Sequence, residues 1–406
     1  MEVLKDKKII DRLLNKGVEQ ILPSTDALKK LLFSGKRINV YQGFDPTAPT
    51  LHIGHTVGMR KLEDFRKLGH QVFFVIGDFT ARIGDPTDKS SARVKLTKEE
   101  VEENMKVYVE QASSIIDMRN KENPVKIVYN SQWLEPLDFG EIIEIASVFT
   151  VQQMLKRSIF QKRLKEDKPI YLHEFLYPIM QGYDSVMMNI DVEVGGNDQL
   201  FNMLAGRDLI MNRLNKEKIV LTAKLLETSD GSKMGKTEGN MIKLDDSAND
   251  IYGKVMAFDD RLIPVGFEIL TNYELDQVEE IRKKLKGGEN PIELKKLLAF
   301  EVTKDIKDEK DAKNAQRYFE SIFQKKNIDA KVPIREIKEK EISIINLLVQ
   351  LDIATSKSQA RRLVEQNAVS INEEKITKWD KKINLDPDRE QTLKCGKHVY
   401  QIKPIQ

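Results

Sequence analysis

The sequence contains few of the residues that build disulfides or metal sites. Its 406 residues include one cysteine, Cys395, and only five histidines. A single cysteine excludes an internal disulfide and any zinc site made from several cysteines. No apolar run approaches the length of a membrane-spanning helix, and the residues after Met1 lack the apolar core of a secretory signal. We therefore expect a cytoplasmic protein that does not enter a membrane.

The chain also lacks a strong charge of either sign. Its 66 Lys and Arg residues nearly balance 64 Asp and Glu residues, which gives a net charge of +2. A surface that binds nucleic acid would therefore have to be local. With 40% hydrophobic residues the chain can bury a core, and its length predicts two or three domains.

Short apolar segments alternate with helical ones in the first part of the chain. The predicted strands are 38–44, 71–76, 125–129, 192–194 and 218–222. Apolar residues at helical spacing predict a helix over 4–22 and another over 54–68. This alternation is typical of an α/β fold, here a Rossmann-like, doubly wound parallel sheet. Such a sheet binds ligands at the carboxyl ends of its strands.

Composition divides the chain into four segments. Residues 1–245 are predicted to form the Rossmann-like domain with a connective insertion, and 246–323 an α-helical domain. Residues 324–342 are polar and predict a linker. Residues 343–406 predict two short helices followed by strands, which is a small α+β domain.

The segment that follows the first predicted strand has the composition of a phosphate-binding turn. Gly54 permits close approach of a ligand to the backbone, and the unpaired amides of the next helix favour anions. His52, His55 and the hydroxyl of Thr47 can donate hydrogen bonds to phosphate oxygens. The tetrapeptide 52–55 alone is equally typical of an ordinary turn.

A second segment, 229–237, is small, polar and rich in glycine and serine around two lysines. Lys233 and Lys236 are mobile donors that can follow the charge on a departing pyrophosphate. The glycine spacing differs from that of a Walker loop. Taken alone, this segment is more typical of a solvated loop.

A predicted helix over 171–188 places three polar residues on one face. Tyr177, Gln181 and Asp184 are spaced four and three residues apart, among apolar neighbours. A carboxylate beside an apolar surface is costly unless it is hydrogen-bonded. A substrate hydroxyl is one such partner for Asp184, and a cap or salt bridge on a solvated side is the alternative.

In combination these segments resemble a known family. The two phosphate-facing segments resemble the HIGH and KMSKS motifs of class I aminoacyl-tRNA synthetases. The Lys-x-Gly-Lys-Thr form of the second motif, and the run from Tyr177 to Asp184, resemble tyrosyl-tRNA synthetases of the bacterial kind. The resemblance implies activation of L-tyrosine with ATP, transfer to tRNA(Tyr) and a homodimer. It also implies Mg²⁺ accompanying ATP, no protein-held metal and no tightly bound prosthetic group.

The same resemblance assigns roles to individual residues. The implied catalytic residues are Thr47, His52, His55, Lys233, Lys236 and Thr237. The implied tyrosine-binding residues are Tyr41, Asp85, Tyr177, Gln181, Asp184 and Gln199, with Tyr41 and Asp184 on the phenolic hydroxyl and Tyr177, Gln181 and Asp85 on the ammonium group. The implied ATP-binding residues are Asp45, Gly54, Gly196, Asp198, Leu226 and Lys236. Lys89 and Arg93 would add mobile positive charge.

The end of the chain resembles an S4-type RNA-binding module over 356–372. Lys357, Arg361 and Arg362 fall on one predicted helix and are the candidate RNA-binding residues. Residues 344–406 hold 11 Lys and Arg against 8 Asp and Glu, an excess too small to indicate RNA binding by itself. The module pattern, rather than charge, therefore carries this prediction.

Three alternatives stay open at this level. A tryptophanyl-type synthetase shares the catalytic fold, but the tail and the Tyr41 and Asp184 pair argue against it. A non-catalytic RNA-binding relative would not need the histidines and lysines of the two motifs. A small-molecule adenylyltransferase would not need residues 343–406. The apolar stretch 141–155 is a candidate dimer interface.

Overall fold

The computed structural model describes most of the chain. The described residues are 2–85, 96–227, 241–323, 334–337, 339, 341–372, 374–385, 391–395 and 398–404. No helix in these ranges is long and apolar enough to cross a membrane. The chain divides into two compact units, Met1–Lys313 and Asn314–Gln406.

A six-stranded sheet forms the centre of the first unit. Its strands are β1 (Val18–Leu22), β2 (Asn39–Phe44), β3 (Gln71–Ile76), β4 (Lys126–Tyr129), β5 (Val192–Gly196) and β6 (Ile219–Ala223). Their order is β1-β6-β5-β2-β3-β4, and all neighbours are parallel except the antiparallel pair of β1 and β6. The chain winds outward in both directions from β2 and β5, so the topological switch point lies between these two strands. The predicted doubly wound α/β fold is confirmed.

Helices connect these strands and continue beyond them. They are α1 (Lys7–Asn15), α2 (Thr25–Phe33), α3 (Ile53–Lys67), α4 (Thr80–Ile83), α5 (Lys98–Met105), α6 (Tyr108–Ala112), α7 (Ser131–Leu134), α8 (Phe139–Ala146), α9 (Val151–Leu155), α10 (Ser158–Lys165), α11 (Leu172–Met187), α12 (Leu200–Leu214), α13 (Ala248–Met256), α14 (Ile263–Leu270), α15 (Leu275–Lys286), α16 (Pro291–Ile306) and α17 (Glu309–Phe323). Short 3-10 helices occupy Asn197–Gln199 and Asp260–Leu262. From α13 to α17 the chain is helical, as predicted for residues 246–323.

The first predicted helix is shorter than its apolar spacing indicated. The prediction of one helix over 4–22 is wrong, because α1 ends at Asn15 and residues 18–22 form β1. Gly17 turns the chain with a φ of +63°, a backbone conformation that glycine adopts without strain. The Gly17 amide donates to Glu268 Oε1 at 3.1 Å. A contact 251 residues away thus supports the turn that separates helix from strand.

Helices α11 and α12 pack closely beside the sheet. A Cβ on Gly182 would lie 3.1 Å from the backbone nitrogen of Gly206, so the two glycines let the helix backbones approach each other. A Cβ on Gly206 would also lie 2.4 Å from Lys218 Nζ. The absence of a side chain at Gly206 therefore leaves room for the buried ammonium group of Lys218.

The second unit has its own sheet and core. Its strands are β7 (Ile334–Ile337), β8 (Glu341–Ser343), β9 (Val369–Ile371), β10 (Glu374–Lys375), β11 (Lys382–Asn384), β12 (Gln391–Cys395) and β13 (His398–Pro404), and its helices include α18 (Ile344–Gln350) and α19 (Lys357–Glu365). The five-stranded sheet has the order β10-β9-β12-β13-β7. The predicted small α+β architecture is confirmed.

One part of the predicted linker is structured. Residues 334–337, within the segment 324–342, form β7 and pair in parallel with β13. Glu341 and Ile342 belong to β8, so the expectation of a linker is wrong for these six residues. The backbone of β7 bonds to a strand 67 residues further along, with Ile334 opposite Gln401, and local polarity could not reveal this long-range partner. The predicted domain boundaries themselves stay predictions.

Candidate active site

The predicted site residues of the first unit gather at the carboxyl ends of β2 and β5. Tyr41 lies within β2 and Asp45 directly follows it, while Gly196 ends β5. These two strands flank the topological switch point, where open α/β sheets leave a crevice for ligands. The fold thus places residues that are distant in sequence around one opening.

Asp45 is held by two hydroxyl groups. Thr80 Oγ1 donates to Asp45 Oδ1 at 2.8 Å, and the Tyr177 hydroxyl donates to Asp45 Oδ2 at 2.6 Å. A Cβ on Gly77 would lie 2.0 Å from Asp45 Oδ1, so only glycine fits beside this carboxylate. Asp45 therefore joins the end of β2 to helix α11.

Asp184 lies buried on α11 and accepts two hydrogen bonds from neutral groups. Trp133 Nε1 donates to Oδ1 at 2.7 Å, and Asn130 Nδ2 approaches Oδ2 at 3.3 Å. Burial raises the pKa of Asp184 well above its usual value, while these two N–H donors act in the opposite direction. The arrangement satisfies a buried carboxylate without a cation among these donors.

Tyr41 and Gln181 meet on a common acceptor, Glu193 of β5. The Tyr41 hydroxyl donates to Glu193 Oε1 at 2.7 Å, and Gln181 Nε2 donates to the same oxygen at 2.9 Å. Burial, followed by the charges of Glu193 and Asp184, raises the pKa of Tyr41 well above its usual value. Tyr41 is therefore a neutral phenol in a negatively charged environment.

Asp85 and Gln199, both predicted to bind tyrosine, contact each other. Gln199 Nε2 donates to Asp85 Oδ2 at 2.6 Å, and Arg157 Nη2 donates to Asp85 Oδ1 at 2.9 Å. Asp85 and Arg157 are both buried. The negative charge of Asp85 is thus balanced by an arginine that the sequence did not single out.

His52 and His55 cap the start of α3. His52 Nδ1 accepts from the Gly54 amide at 3.1 Å, His55 Nδ1 accepts from the His52 amide at 3.0 Å, and the rings stack with centroids 3.8 Å apart. Because each Nδ1 accepts a hydrogen bond, the proton of each neutral ring is assigned to Nε2. The capping bonds thus select the tautomer in which Nε2 is the donor.

The second motif lies outside the described residues, but the residues that follow it contact the first. The Ile53 amide donates to the Ile242 carbonyl, and the Leu244 amide to the Leu51 carbonyl, each at 2.9 Å. His52 and Lys243 form an antiparallel bridge. Lys233, Lys236 and Thr237, like Lys89 and Arg93, are among the residues whose placement is not described. The chain nevertheless returns from the second motif directly beside His52.

The remaining predicted ATP contacts surround the end of β5. Asp198 is partly exposed in the 3-10 helix that follows this strand, and Leu226 is buried beyond β6. Gly54 and Thr47 are exposed near the start of α3. Within the described ranges, no group of three or more His, Cys, Asp and Glu side chains is arranged to hold a metal ion.

The predicted RNA-binding residues belong to the second unit. Lys357, Arg361 and Arg362 are exposed on α19. The Arg361 guanidinium lies 4.6 Å from the centroid of the Trp379 ring and donates to Glu365 at 2.8 Å. An exposed aromatic ring beside arginine is a surface on which a base can stack.

Sequence reasoning missed several residues that hold the site together. Glu193, Lys218, Trp133, Asn130 and Arg157 bond directly to predicted site residues or to each other. One signal was available, because Glu193 interrupts an otherwise apolar strand, and a charge in a buried strand requires a partner. The remaining contacts depend on packing between distant segments.

The sequence matches two known protein families. Residues 34–324 match the family described as tRNA synthetases class I (W and Y), and residues 324–402 match the tyrosine–tRNA ligase SYY-like C-terminal domain. The chain is 42% identical to a tyrosine–tRNA ligase of Thermotoga maritima over 96% of each chain. It is 38% identical to that of Aquifex aeolicus, over 96% of this chain and 97% of the relative.

The fold is also similar to solved structures. A C-terminally truncated mitochondrial tyrosyl-tRNA synthetase of Aspergillus nidulans aligns with a TM-score of 0.66 at 23% identity. The alignment covers 79% of this chain and 95% of that one. The described sheet and its helices thus follow a fold that is already known.

Proposed function

The chain belongs to the class I tRNA synthetases of the tryptophan and tyrosine group, and we propose that it activates L-tyrosine with ATP and transfers it to tRNA(Tyr). The observation that supports the choice of tyrosine is the buried Asp184 carboxylate. It lies close enough to the Tyr41 hydroxyl for its charge to raise the pKa of Tyr41. A phenol is a hydrogen-bond donor suited to that carboxylate, whereas an indole places its donor elsewhere on the ring. The match of residues 324–402 to a tyrosine–tRNA ligase domain also favours tyrosine over tryptophan.

The reaction proceeds in two steps. The tyrosine carboxylate attacks the α-phosphorus of ATP, the bond to the β-phosphate oxygen breaks, and pyrophosphate leaves. A ribose hydroxyl at the 3′ end of tRNA then attacks the adenylate carbonyl and AMP leaves. The attacking carboxylate is already ionised at neutral pH, so the first step needs positioning and charge stabilisation rather than a base.

The contacts described above support a division of roles in the tyrosine pocket. Tyr41 and Asp184 flank the phenolic hydroxyl in this proposal, and the hydroxyl donates its one proton to Asp184. Tyr177, Gln181 and Asp85 bind the ammonium group, and Gln199 joins them through Asp85. Asp45 orients Tyr177 through its 2.6 Å hydrogen bond and lies toward the nucleotide.

The start of α3 is the proposed phosphate site. The positive dipole end of this helix favours anions, and His52 and His55 add Nε2 donors. Thr47 and Gly54 lie at the same place, and the adenosine part lies along Gly196, Asp198 and Leu226. From the sequence motif we assign Lys233, Lys236 and Thr237 to the departing pyrophosphate. Mg²⁺ enters with the ATP phosphates, and the reaction takes place in the cytoplasm.

We expect pyrophosphate exchange into ATP with tyrosine and with no other amino acid. Exchange reports the first step alone, so it requires no tRNA. The measurement is ATP–pyrophosphate exchange with each of the twenty amino acids on the full chain, followed by aminoacylation of tRNA with the amino acid that succeeds. Exchange with tryptophan, or with none of the twenty, would refute the proposed function.

Replacing His52 with asparagine separates capping from catalysis. Asparagine is a good N-cap, so His52→Asn keeps the cap of α3 but loses the Nε2 donor. Removing one donor to developing charge costs about 10²–10³ in kcat, and we expect a loss of this size in tyrosine-dependent exchange. Thermal melting should change little, and His52→Ala should lose both activity and stability. Full exchange activity in His52→Asn would restrict His52 to a capping role.

The second unit is the proposed contact for tRNA. Lys357, Arg361 and Arg362 are exposed on one face of α19, where they can reach phosphates. The Arg361 and Trp379 pair adds a stacking surface. This placement supports RNA binding by α19 in the second step.

A homodimer is the proposed assembly. Phe139 and Ile143 lie one turn apart on α8 and are 77% and 54% exposed, and Leu172 on α11 is 82% exposed. Val151, at the start of α9, is 63% exposed. Large apolar side chains exposed on neighbouring elements are typical of a protein interface. Two of these four side chains, Ile143 and Val151, lie in the apolar stretch 141–155 that the sequence indicated. A second copy of the chain is the proposed partner.

A further inference from the structure

Four polar side chains form a closed ring of hydrogen bonds behind the tyrosine pocket. They are Tyr41 in β2, Ser185 on α11, Glu193 in β5 and Lys218 just before β6, and each is at most 2% exposed. A buried ion pair often contributes little net stability, because desolvation offsets the attraction. The ring therefore needs an explanation other than stability.

The donors and acceptors of the ring favour one direction for each hydroxyl proton. Lys218 Nζ donates to Ser185 Oγ at 2.9 Å and also donates to Glu193 Oε2. Ser185 Oγ donates to the Tyr41 oxygen at 3.0 Å, and Tyr41 donates to Glu193 Oε1 at 2.7 Å. An amine at the start and a carboxylate at the end favour one direction for each hydroxyl, since lysine donates here and an ionised carboxylate only accepts.

The Tyr41 proton is consequently donated to Glu193 rather than to Asp184. The Gln181 carbonyl, 3.3 Å from the Tyr41 oxygen, is a longer alternative acceptor for the same proton. Glu193 is the nearer acceptor and carries the charge, and charge-assisted hydrogen bonds are the stronger ones. Tyr41 therefore presents a lone pair, rather than a proton, to a substrate.

The charged groups around the pocket also favour a neutral phenol over an ionised one. Besides burial, the charges of Glu193 and Asp184 raise the pKa of Tyr41, and Asp45 and Glu193 raise the pKa of Asp184. A substrate phenol bound between Tyr41 and Asp184 meets the same carboxylates. The surroundings that keep Tyr41 neutral thus disfavour a bound phenolate as well.

We propose that Glu193 and Lys218 are positioning residues that hold the Tyr41 proton away from the substrate, so that the pocket selects a side chain whose para group donates a hydrogen bond. A neutral phenol meets this requirement. An ionised phenol has no proton to donate and adds a negative charge to a pocket whose burial and carboxylates disfavour one. The inference rests on the proposed function, because it needs tyrosine in this pocket.

The pH dependence of an acidic tyrosine analogue tests the selection without any substitution. The probe is 3,5-difluorotyrosine, which is close to tyrosine in size but ionises nearer to neutral pH. We expect its kcat/KM in pyrophosphate exchange, relative to that of tyrosine, to fall roughly tenfold per pH unit above its phenol pKa. A ratio that stays constant across that pKa overturns the inference. Failure of tyrosine itself would instead refute the proposed function, so the two failures are distinguishable.

Two variants test the role of the ion pair. Glu193→Gln/Lys218→Met removes both charges at similar volume and frees the Tyr41 proton to donate to a phenolate. We expect the discrimination against difluorotyrosine at high pH to shrink by about tenfold, the scale of one charge-assisted hydrogen bond. Glu193→Asp keeps the charge but moves the carboxylate away from Tyr41. It should also reduce the discrimination against difluorotyrosine at high pH, but by less than the double substitution does.

A matched control is the exposed pair of Arg207 and Glu217. Arg207→Met/Glu217→Gln makes the same kind of change away from the pocket and should keep the wild-type profile. If the Glu193→Gln/Lys218→Met protein does not fold, Glu193→Asp decides the question. Active variants that keep the wild-type pH profile would overturn the role of Glu193 and Lys218.

Discussion

Asp184→Asn should lower kcat/KM for tyrosine by about a hundredfold or more, while kcat/KM for phenylalanine changes by less than about tenfold. Asparagine keeps the shape of the side chain, but its amide N–H group must face Trp133, Asn130 or the substrate hydroxyl. Loss of a hydrogen bond to a charged group, with a buried donor left unpaired, costs about 3 kcal/mol. Phenylalanine makes no such bond, so it loses much less.

The measurement is pyrophosphate exchange with tyrosine and phenylalanine on the same preparations. The KM for ATP should stay near the wild-type value, because Asp184 belongs to the amino-acid pocket in our proposal. Asp208→Asn is the matched control, since Asp208 is an exposed aspartate on the neighbouring helix α12. Wild-type selectivity in Asp184→Asn would remove Asp184 from the pocket.

Glu174→Gln should lower the free energy of unfolding of the first unit by about 3–5 kcal/mol, the usual loss when one partner of a buried ion pair is removed. Both Glu174 oxygens accept from Arg163 Nη1 at 2.8 Å, and the two side chains are only 4% and 2% exposed. Glu174 Oε2 also accepts from the Tyr171 amide at 2.9 Å, which caps α11. Glutamine would leave the Arg163 charge buried and weaken the start of this helix.

The two tryptophans allow each unit to be followed separately. Trp133 belongs to the first unit and Trp379 to the second, so Trp379→Phe leaves fluorescence from Trp133 alone. Guanidinium titration of the full chain in that background gives the unfolding of the first unit. Glu166→Gln is the control, because its pair with Lys168 is exposed and exposed pairs contribute about 0–1 kcal/mol. Equal effects of the two substitutions would contradict the importance of the buried pair.

Strong local signals identified five of the six strands of the first sheet, and helices α3 and α11. The apolar run 71–76, bounded by polar residues and glycine, is β3. The structure also shows local signals at helix starts, where Ser24 caps α2 and Asn290 caps α16, with Pro291 at the first helical position. In each case the signal is local, because caps and short apolar strands depend on a few adjacent residues.

The failures at β1 and β7 have a shared physical cause. Val18–Leu22 became a strand because it pairs with β6, and residues 334–337 became a strand because they pair with β13. Strand pairing is a long-range interaction, and its partner cannot be read from the segment itself. The apolar spacing over 4–22 is compatible with one helix, but Gly17 turns the chain between α1 and β1.

By itself the sequence determined the alternation of strands and helices, the two phosphate-facing segments and the helix that carries Tyr177, Gln181 and Asp184. Those features depend on residue type and short spacing. Only the tertiary structure decided which partners these polar groups acquire: Tyr177 bonds to Asp45, 132 residues away, and Tyr41 to Glu193, 152 residues away. Buried polar groups must be paired, but the sequence does not say with what. The choice depends on how the strands and α11 pack, and here it also decides which way the Tyr41 proton points.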